Sequence, residues 1–224
     1  MIKALIFDFD GTVADTIPAL CEGVNLTMRR HGYPEHTEDD IRRFINNGAR
    51  KLIERSMPLP DRDCEETVSR VLSDYNECYG LVYHHTDAAY DGVAELIARL
   101  HKTYRIGVLS NKQDEFVKKL CRQVLAEGSY DVAQGAIEGH PTKPDPYLPH
   151  LVCRSLGVLP EECIMIGDSD VDLRTASNSG MRHIGVTWGF RSEDFLRASG
   201  VTTLAHSPEE LEGVLGKTYG EGTF

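Results

Sequence analysis

Four short segments of the 224-residue chain carry the side chains best able to do chemistry. Asp8-Phe9-Asp10-Gly11-Thr12 sets two carboxylates two residues apart, then a glycine that lets the chain turn sharply. Ser110-Asn111 offers a hydroxyl and an amide, and Lys143-Pro144 a cation ahead of a rigid turn. Gly167-Asp168-Ser169 adds a third carboxylate, with Asp172 four residues on as a fourth. An isolated Asp-x-Asp-Gly is as readily a turn as a site, so the combination carries the reading. Carboxylates brought together repel unless a cation neutralises them, and an all-oxygen ligand set selects a hard ion, Mg²⁺ above all. A lysine and a hydroxyl beside that ion seat an anionic oxygen group. A phosphoryl group fits: its oxygens need positive charge and donors, while a carboxylate attacks in line to form an aspartyl-phosphate.

These groups act together only if the chain delivers them to one rim. Apolar runs of strand length, Ala4–Phe9, Ile106–Ser110, Ile164–Gly167, Ile184–Trp188 and a weaker Val201–Leu204, alternate with helical patterns. That alternation predicts an α/β fold, a doubly wound parallel sheet with helices on both faces. Such sheets bind ligands at the carboxyl ends of their strands, where the four segments fall. Asp91-Gly92 leads into a helix bearing Val93, Leu96, Ile97 and Leu100, and a second carries Phe116, Val117, Leu120, Cys121, Val124 and Leu125, with Gly128 as its expected C-cap.

Residues 15–86 break the alternation and predict an inserted α-helical cap domain, leaving 1–14 and 87–224 as the α/β core. Ile17, Leu20, Cys21, Val24 and Met28 share one helical face ending at Gly32, and Thr37 is the expected N-cap of a helix bearing Ile41, Phe44 and Ile45. Asn47-Gly48 interrupts, and Leu52 and Ile53 continue to the breaker Met57-Pro58-Leu59-Pro60. Val68, Val71, Leu72, Tyr75 and Tyr79 then define a long helix stopped by Gly80. Pro149 threatens the helix after Lys143 with a missing donor, and the tail beyond Leu215, without periodicity, is expected to fray.

Composition narrows the function. With 24 basic against 35 acidic residues, the net charge of −11 disfavours nucleic acid and anionic lipid as partners. No apolar run reaches the roughly 18 residues of a membrane span, and the N-terminus lacks a signal-peptide core, so a cytoplasmic protein is expected. The six cysteines form no C-x-x-C pair and the histidines no ligand spacing, which suits reduced thiols better than disulfides or zinc. Neither a G-x-x-x-x-G-K-[ST] nor a G-x-G-x-x-G loop is present, so a nucleotide cofactor has no evident cradle.

In their order, Asp8-Phe9-Asp10-Gly11-Thr12-Val13, Ser110-Asn111, Lys143-Pro144 and Gly167-Asp168-Ser169-Asp170-Val171-Asp172 resemble the four motifs of the haloacid dehalogenase superfamily. The likeness spans essentially the whole chain and implies a Rossmann-like core with a helical cap between the first and second motifs. It implies Asp8 as nucleophile and Asp10 as the acid/base that protonates the leaving oxygen and then activates water. It further implies Mg²⁺ held by the Asp8 side chain, the Asp10 backbone carbonyl and Asp168, with Asp172 close by. Ser110 and Lys143 would hold the phosphoryl oxygens, helped by the backbone N–H groups after Asp8 and at Asn111. Members that displace halide lack the second aspartate, so Asp10 points to phosphoryl transfer.

Phe44-Ile45-Asn46-Asn47-Gly48-Ala49-Arg50-Lys51-Leu52 and the run from Ala176 to Arg191 are similar to the phosphoglycolate phosphatase-like branch. That likeness makes Arg50 the expected cap cation for the carboxylate of 2-phosphoglycolate. The expected activity is a Mg²⁺-dependent phosphomonoesterase acting on a small-molecule phosphoester, with neither nucleic acid nor membrane as partner. A pyrophosphatase, or a sugar-phosphate phosphatase or mutase, of the same superfamily would share nearly all these residues. A non-catalytic binding module would have no reason to keep Asp8, Asp10, Lys143 and Asp168 together.

Overall fold

The computed structural model describes residues 1–219, with side chains to Lys217. Six parallel strands form one sheet: β1 (Ala4–Phe7), β2 (Arg105–Gln113), β3 (Val132–Ala136), β4 (Cys163–Gly167), β5 (Arg182–Val186) and β6 (Leu204–Ala205). Their order is β3-β2-β1-β4-β5-β6. The chain therefore reverses its winding between β1 and β4, and the crevice above their carboxyl ends is where a doubly wound sheet binds ligands. The central strands β1 and β4 are buried at every position, as a sheet covered on both faces requires.

Helices α6 (Val93–Leu100), α7 (Asp114–Val124) and α11 (Pro208–Tyr219) cover one face, packing on Leu5, Phe7, Ile106, Val108, Ile164 and Ile166. The other face carries α8 (Tyr147–Leu156) and α9 (Asp170–Ser179) over Ala4, Ile6, Leu109 and Met165. The short α10 (Glu193–Ala198) anchors Leu196 on Val201 and Leu204.

Between β1 and α6 the chain is helical: α1 (Ile17–Arg30), α2 (Glu38–Phe44), α3 (Gly48–Ser56), α4 (Leu59–Arg62) and α5 (Glu65–Val82). They enclose a separate core of Ile17, Leu20, Val24, Met28, Ile41, Ile53, Val71, Tyr75 and Tyr79. Thr37 caps α2 as expected: its hydroxyl accepts from the Asp40 N–H while Asp40 reaches back to the Thr37 N–H. Phe116 of α7 joins this second core, edge-on to Tyr79 with ring centroids 4.9 Å apart.

Several elements differ from expectation, each for a local reason. β1 ends at Phe7 because the Phe9 carbonyl starts a tight turn, accepting from the N–H groups of Thr12, Val13 and Ala14. β2 runs past Ser110 to Gln113 and pairs with β3, a half-buried edge strand rich in small residues whose apolar signal is weak. β5 and β6 sit two or three residues from the expected runs, where their ladders register with β4 and with each other. Gly80 does not stop α5, which continues to Val82 with Gly80 against the Phe116 ring.

Gly128 lies in the turn beyond α7, whose C-cap is Leu125. α4 forms inside the proline-rich breaker, with Pro60 in its first turn where no donor is lost. The same reason answers for Pro149, third residue of α8. The tail beyond Leu215 stays helical to Tyr219, and 220–224 lie outside the described residues.

Candidate active site

The cleft between the helical insertion and the carboxyl end of the sheet has an empty volume of about 650 Å³, mouth included. Its polar wall is Asp8, Asp10, Ser110, Asn111, Lys112 and Lys143, all delivered by strand ends or the loops after them. Leu20, Ile45, Leu52, Tyr75 and Tyr79 close it from the helical side.

Asp8 is buried and takes two contacts on one oxygen: its Oδ1 is 2.8 Å from Lys143 Nζ and accepts from the Phe9 N–H at 2.7 Å. Lys143 Nζ also lies 2.7 Å from Asp172 Oδ1, so one buried ammonium bridges two carboxylates. Asp172 in turn caps its own helix, accepting from the Ser169 hydroxyl at 2.6 Å and the Ser169 N–H at 3.2 Å. Both its oxygens are thereby occupied, which makes it the holder of Lys143.

Asn111 positions the lysine from the opposite side. Its side chain accepts from the Lys143 N–H at 2.7 Å and donates to the Lys143 carbonyl at 2.9 Å. This leaves the Asn111 amide group committed to the chain rather than to a ligand.

Asp168 is buried, accepting from the Phe190 N–H at 2.7 Å and the Thr12 hydroxyl at 3.2 Å. Burial and the neighbouring Asp172 push its pKa up to about 7, and the same two causes raise Asp8. The oxygens of Asp8, Asp168 and Asp172 gather within 4.8 Å of one another. Three buried carboxylates so close, two of them reluctant to ionise, fit a hard cation that would repay their repulsion. Two glycines permit the approach. A Cβ on Gly11 (φ +87°) would sit 2.5 Å from Asp168 Oδ2, and one on Gly189 would sit 2.2 Å from the Gly11 carbonyl and 2.4 Å from Asp168 Cβ.

Asp10 has a different environment. Oδ1 accepts from the Thr16 hydroxyl at 2.7 Å and lies 3.0 Å from Lys112 Nζ; Oδ2 accepts from the Ser110 hydroxyl at 2.8 Å. Burial opposes ionisation here, but Lys112 and the two hydroxyls outweigh it and hold the carboxyl below its ordinary range. The two neighbouring carboxyls therefore differ in their readiness to ionise in the free protein, Asp8 pushed up and Asp10 pulled down. With its side chain so engaged, Asp10 has its backbone carbonyl left to offer a cation.

Arg50 requires correction. It is exposed on α3, lies outside the cleft lining, and pairs with Glu54 at 2.9 Å and Glu65 at 2.5 Å. The helix presents Gly48, Ala49 and Leu52 to the cleft and turns Arg50 away.

The residues that the motifs overlooked are Lys112, Tyr79 and Thr16, while Thr12, Phe190 and Arg191 lie inside quoted segments without an assigned role. Lys112 had a signal: it lies two residues past Ser110, on the same face of a strand that continues. Arg191 had none. It reaches from the core to donate to the Arg42 carbonyl at 3.1 Å, and it faces the Asn46 amide oxygen at 3.2 and 3.3 Å once that amide is turned to accept.

The family model of the haloacid dehalogenase-like hydrolases matches residues 5–186. Among curated proteins, a phosphoglycolate phosphatase of Vibrio parahaemolyticus is 29% identical, with 94% of each chain covered. One from Psychrobacter arcticus is also 29% identical, with 97% of each covered. A crystal structure from Lactobacillus delbrueckii subsp. bulgaricus, described as a candidate phosphoglycolate phosphatase, superposes with a TM-score of 0.85 at 32% identity, covering 95% of this chain and 98% of that one. CbbY from Rhodobacter sphaeroides, solved as a variant with xylulose-1,5-bisphosphate, reaches a TM-score of 0.76 at 26% identity, covering 94% and 96%. The sheet order, the paired aspartates just after β1 and these matches agree: the chain belongs to the haloacid dehalogenase-like hydrolases and is a phosphatase of their phosphoglycolate phosphatase-like branch.

Proposed function

We propose that the protein is a Mg²⁺-dependent phosphomonoesterase that works through an aspartyl-phosphate on Asp8 and takes 2-phosphoglycolate as substrate. The observation that carries the reading is Asp8 on the polar wall of the cleft, with Lys143 and the Phe9 N–H both on its Oδ1. Its other oxygen is left for attack on phosphorus, and Lys143 stands where it also meets a phosphoryl oxygen. Asp8, Asp168 and the Asp10 carbonyl would hold the cation, whose charge lowers the cost of bringing a dianion against aspartates. Asp10, ionised in the free protein, suits the half of the cycle that activates water. A phosphoryl dianion beside it raises its proton affinity, which serves the half that protonates the leaving oxygen. Asp172 and Asn111 act through Lys143, fixing it from two sides.

The helical insertion, read as residues 15–86, lines the cleft with Ile45, Leu52 and Tyr75, an apolar surface that would limit bulk water around a bound substrate. The relatives named above support 2-phosphoglycolate first and a sugar bisphosphate second. The test is phosphate release from 2-phosphoglycolate, pyrophosphate, hexose phosphates and an aryl phosphate, with Mg²⁺ and with EDTA. Metal-dependent preference for 2-phosphoglycolate is expected. Preference for pyrophosphate or a hexose phosphate would keep the core chemistry and overturn the substrate.

A further inference from the structure

We propose that Lys112 is a second anion anchor, receiving the carboxylate or distal phosphate of a small phosphoester whose reacting phosphoryl group lies at Asp8 and Lys143. This rests on the phosphatase reading above and assigns its substrate-recognition group.

A second anionic group entering a cleft floored by Asp8 and Asp10 needs a cation on its own side. The cationic side chains of the cleft lining are Lys112 and Lys143, and Lys143, held against Asp8 and Asp172, serves the reacting phosphoryl group. Lys112 Nζ lies 3.0 Å from Asp10 Oδ1 and donates to the Tyr79 hydroxyl at 3.0 Å, 4.5 Å from the centre of that ring. An ammonium has three N–H donors. Two are spoken for, and the third remains for a ligand in the cleft that Lys112 lines.

A buried lysine is also a poor structural investment. Ion pairs of this kind seldom stabilise a fold more than an apolar residue of the same size would, so its place against the cleft favours a recognition role. Asn76 and Gln113 line the same stretch, and their side chains make no hydrogen bond among the described residues, leaving neutral donors beside the ammonium. Tyr79 sits on α5, so the anchor spans the seam between sheet and insertion: the strand supplies the charge and the helix fixes its direction. Arg50, tied to Glu54 and Glu65 outside the lining, leaves this position uncontested.

The test compares kcat/KM for matched pairs of phosphoesters that differ by the second anion: 2-phosphoglycolate with ethyl phosphate, and glucose 1,6-bisphosphate with glucose 1-phosphate. Wild type, Lys112→Met, Lys112→Gln and Lys112→Arg are measured, with thermal unfolding of each to confirm the fold. Wild type is expected to favour the anion-bearing member of its preferred pair. Lys112→Met and Lys112→Gln are expected to lose roughly 10- to 100-fold of that preference, chiefly through KM, and Lys112→Arg to keep most of it. Equal losses on both members of the pair would confine Lys112 to Asp10 and overturn the proposal. So would an unchanged preference, or a wild type that favours the anion-bearing member of neither pair. Wild-type preference for the bisphosphate pair, abolished in Lys112→Met, would overturn the 2-phosphoglycolate reading and sustain the anchor. Preference for 2-phosphoglycolate that survives in Lys112→Met would do the reverse.

Discussion

Asp168→Asn should make the metal-free protein more stable while destroying its response to Mg²⁺. Asp168 titrates at about 7 instead of its ordinary 3.8, held up first by burial and then by Asp172. A carboxyl whose pKa is raised on folding costs nothing below pH 3.8, where it is protonated both folded and unfolded. The cost grows as pH rises, and levels off above the folded pKa. At 1.36 kcal/mol per pKa unit, it reaches about 1.6 kcal/mol at pH 5 and about 4 kcal/mol at pH 8. An asparagine in the same place keeps an acceptor for the Phe190 N–H, and the Thr12 hydroxyl turns to accept from the new amide.

Any constant cost of that exchange cancels when the two pH values are compared. The gain of the variant over wild type in EDTA should therefore be about 2.5 kcal/mol larger at pH 8 than at pH 5, ~5–10 °C in Tm for a chain of this size. Adding Mg²⁺ at pH 8 should raise the wild-type Tm and leave that of Asp168→Asn nearly unmoved, with turnover lost. Thermal unfolding by circular dichroism at both pH values, in EDTA and in Mg²⁺, reads all of this. A gain that is the same at pH 5 and pH 8 would refute the buried-charge argument, and an equal Mg²⁺ response in both proteins would remove Asp168 from the cation site.

Asp8→Asn is expected to lower phosphate release by at least ~1000-fold with an unchanged circular dichroism spectrum, since the swap is nearly isosteric and removes the proposed nucleophile; activity within tenfold of wild type would exclude the role. Arg50→Ala should change kcat/KM for 2-phosphoglycolate by less than about twofold, because an exposed arginine paired with two surface glutamates contributes little; a larger selective loss would return Arg50 to the cleft. Gly189→Ala should abolish Mg²⁺-dependent turnover, since its methyl would have to displace the Gly11 carbonyl and Asp168. Retained turnover with a normal KM for the metal would show that the Gly189 loop moves freely.

The gathering of polar groups was more legible in the sequence than its detailed geometry. Asp8, Asp10, Lys143 and Asp168 stand at strand ends or the loops after them, and a β-α alternation makes such positions readable from motif order alone. β3 was not legible, because an edge strand of Val132, Ala133, Gln134, Gly135 and Ala136 is held by its ladder to β2 rather than by apolar burial. Gly80 and Pro149 misled in the same way. A glycine inside a helix is tolerated where a ring packs against it, and a proline within the first turn forfeits no bond. Arg50 failed for want of a helical phase: a cation next to cleft residues in sequence sits about 100° from them around the axis. Lys112 lies beyond the apolar part of its strand, which continues two residues past Ser110-Asn111 on ladder pairing with β3.

One loop after β5 touches both halves of the molecule. The Phe190 N–H holds Asp168, and the next side chain, Arg191, grips the helical insertion at Arg42 and Asn46. Whatever free energy distinguishes an open from a closed insertion is therefore partly written into the acid that faces the cation. By thermodynamic linkage the debt runs both ways: to the extent that closure strengthens the grip on the metal, the metal strengthens closure by the same factor. An ion held there would then act on domain motion as well as on charge, and substrate capture would follow cation concentration until that site is filled.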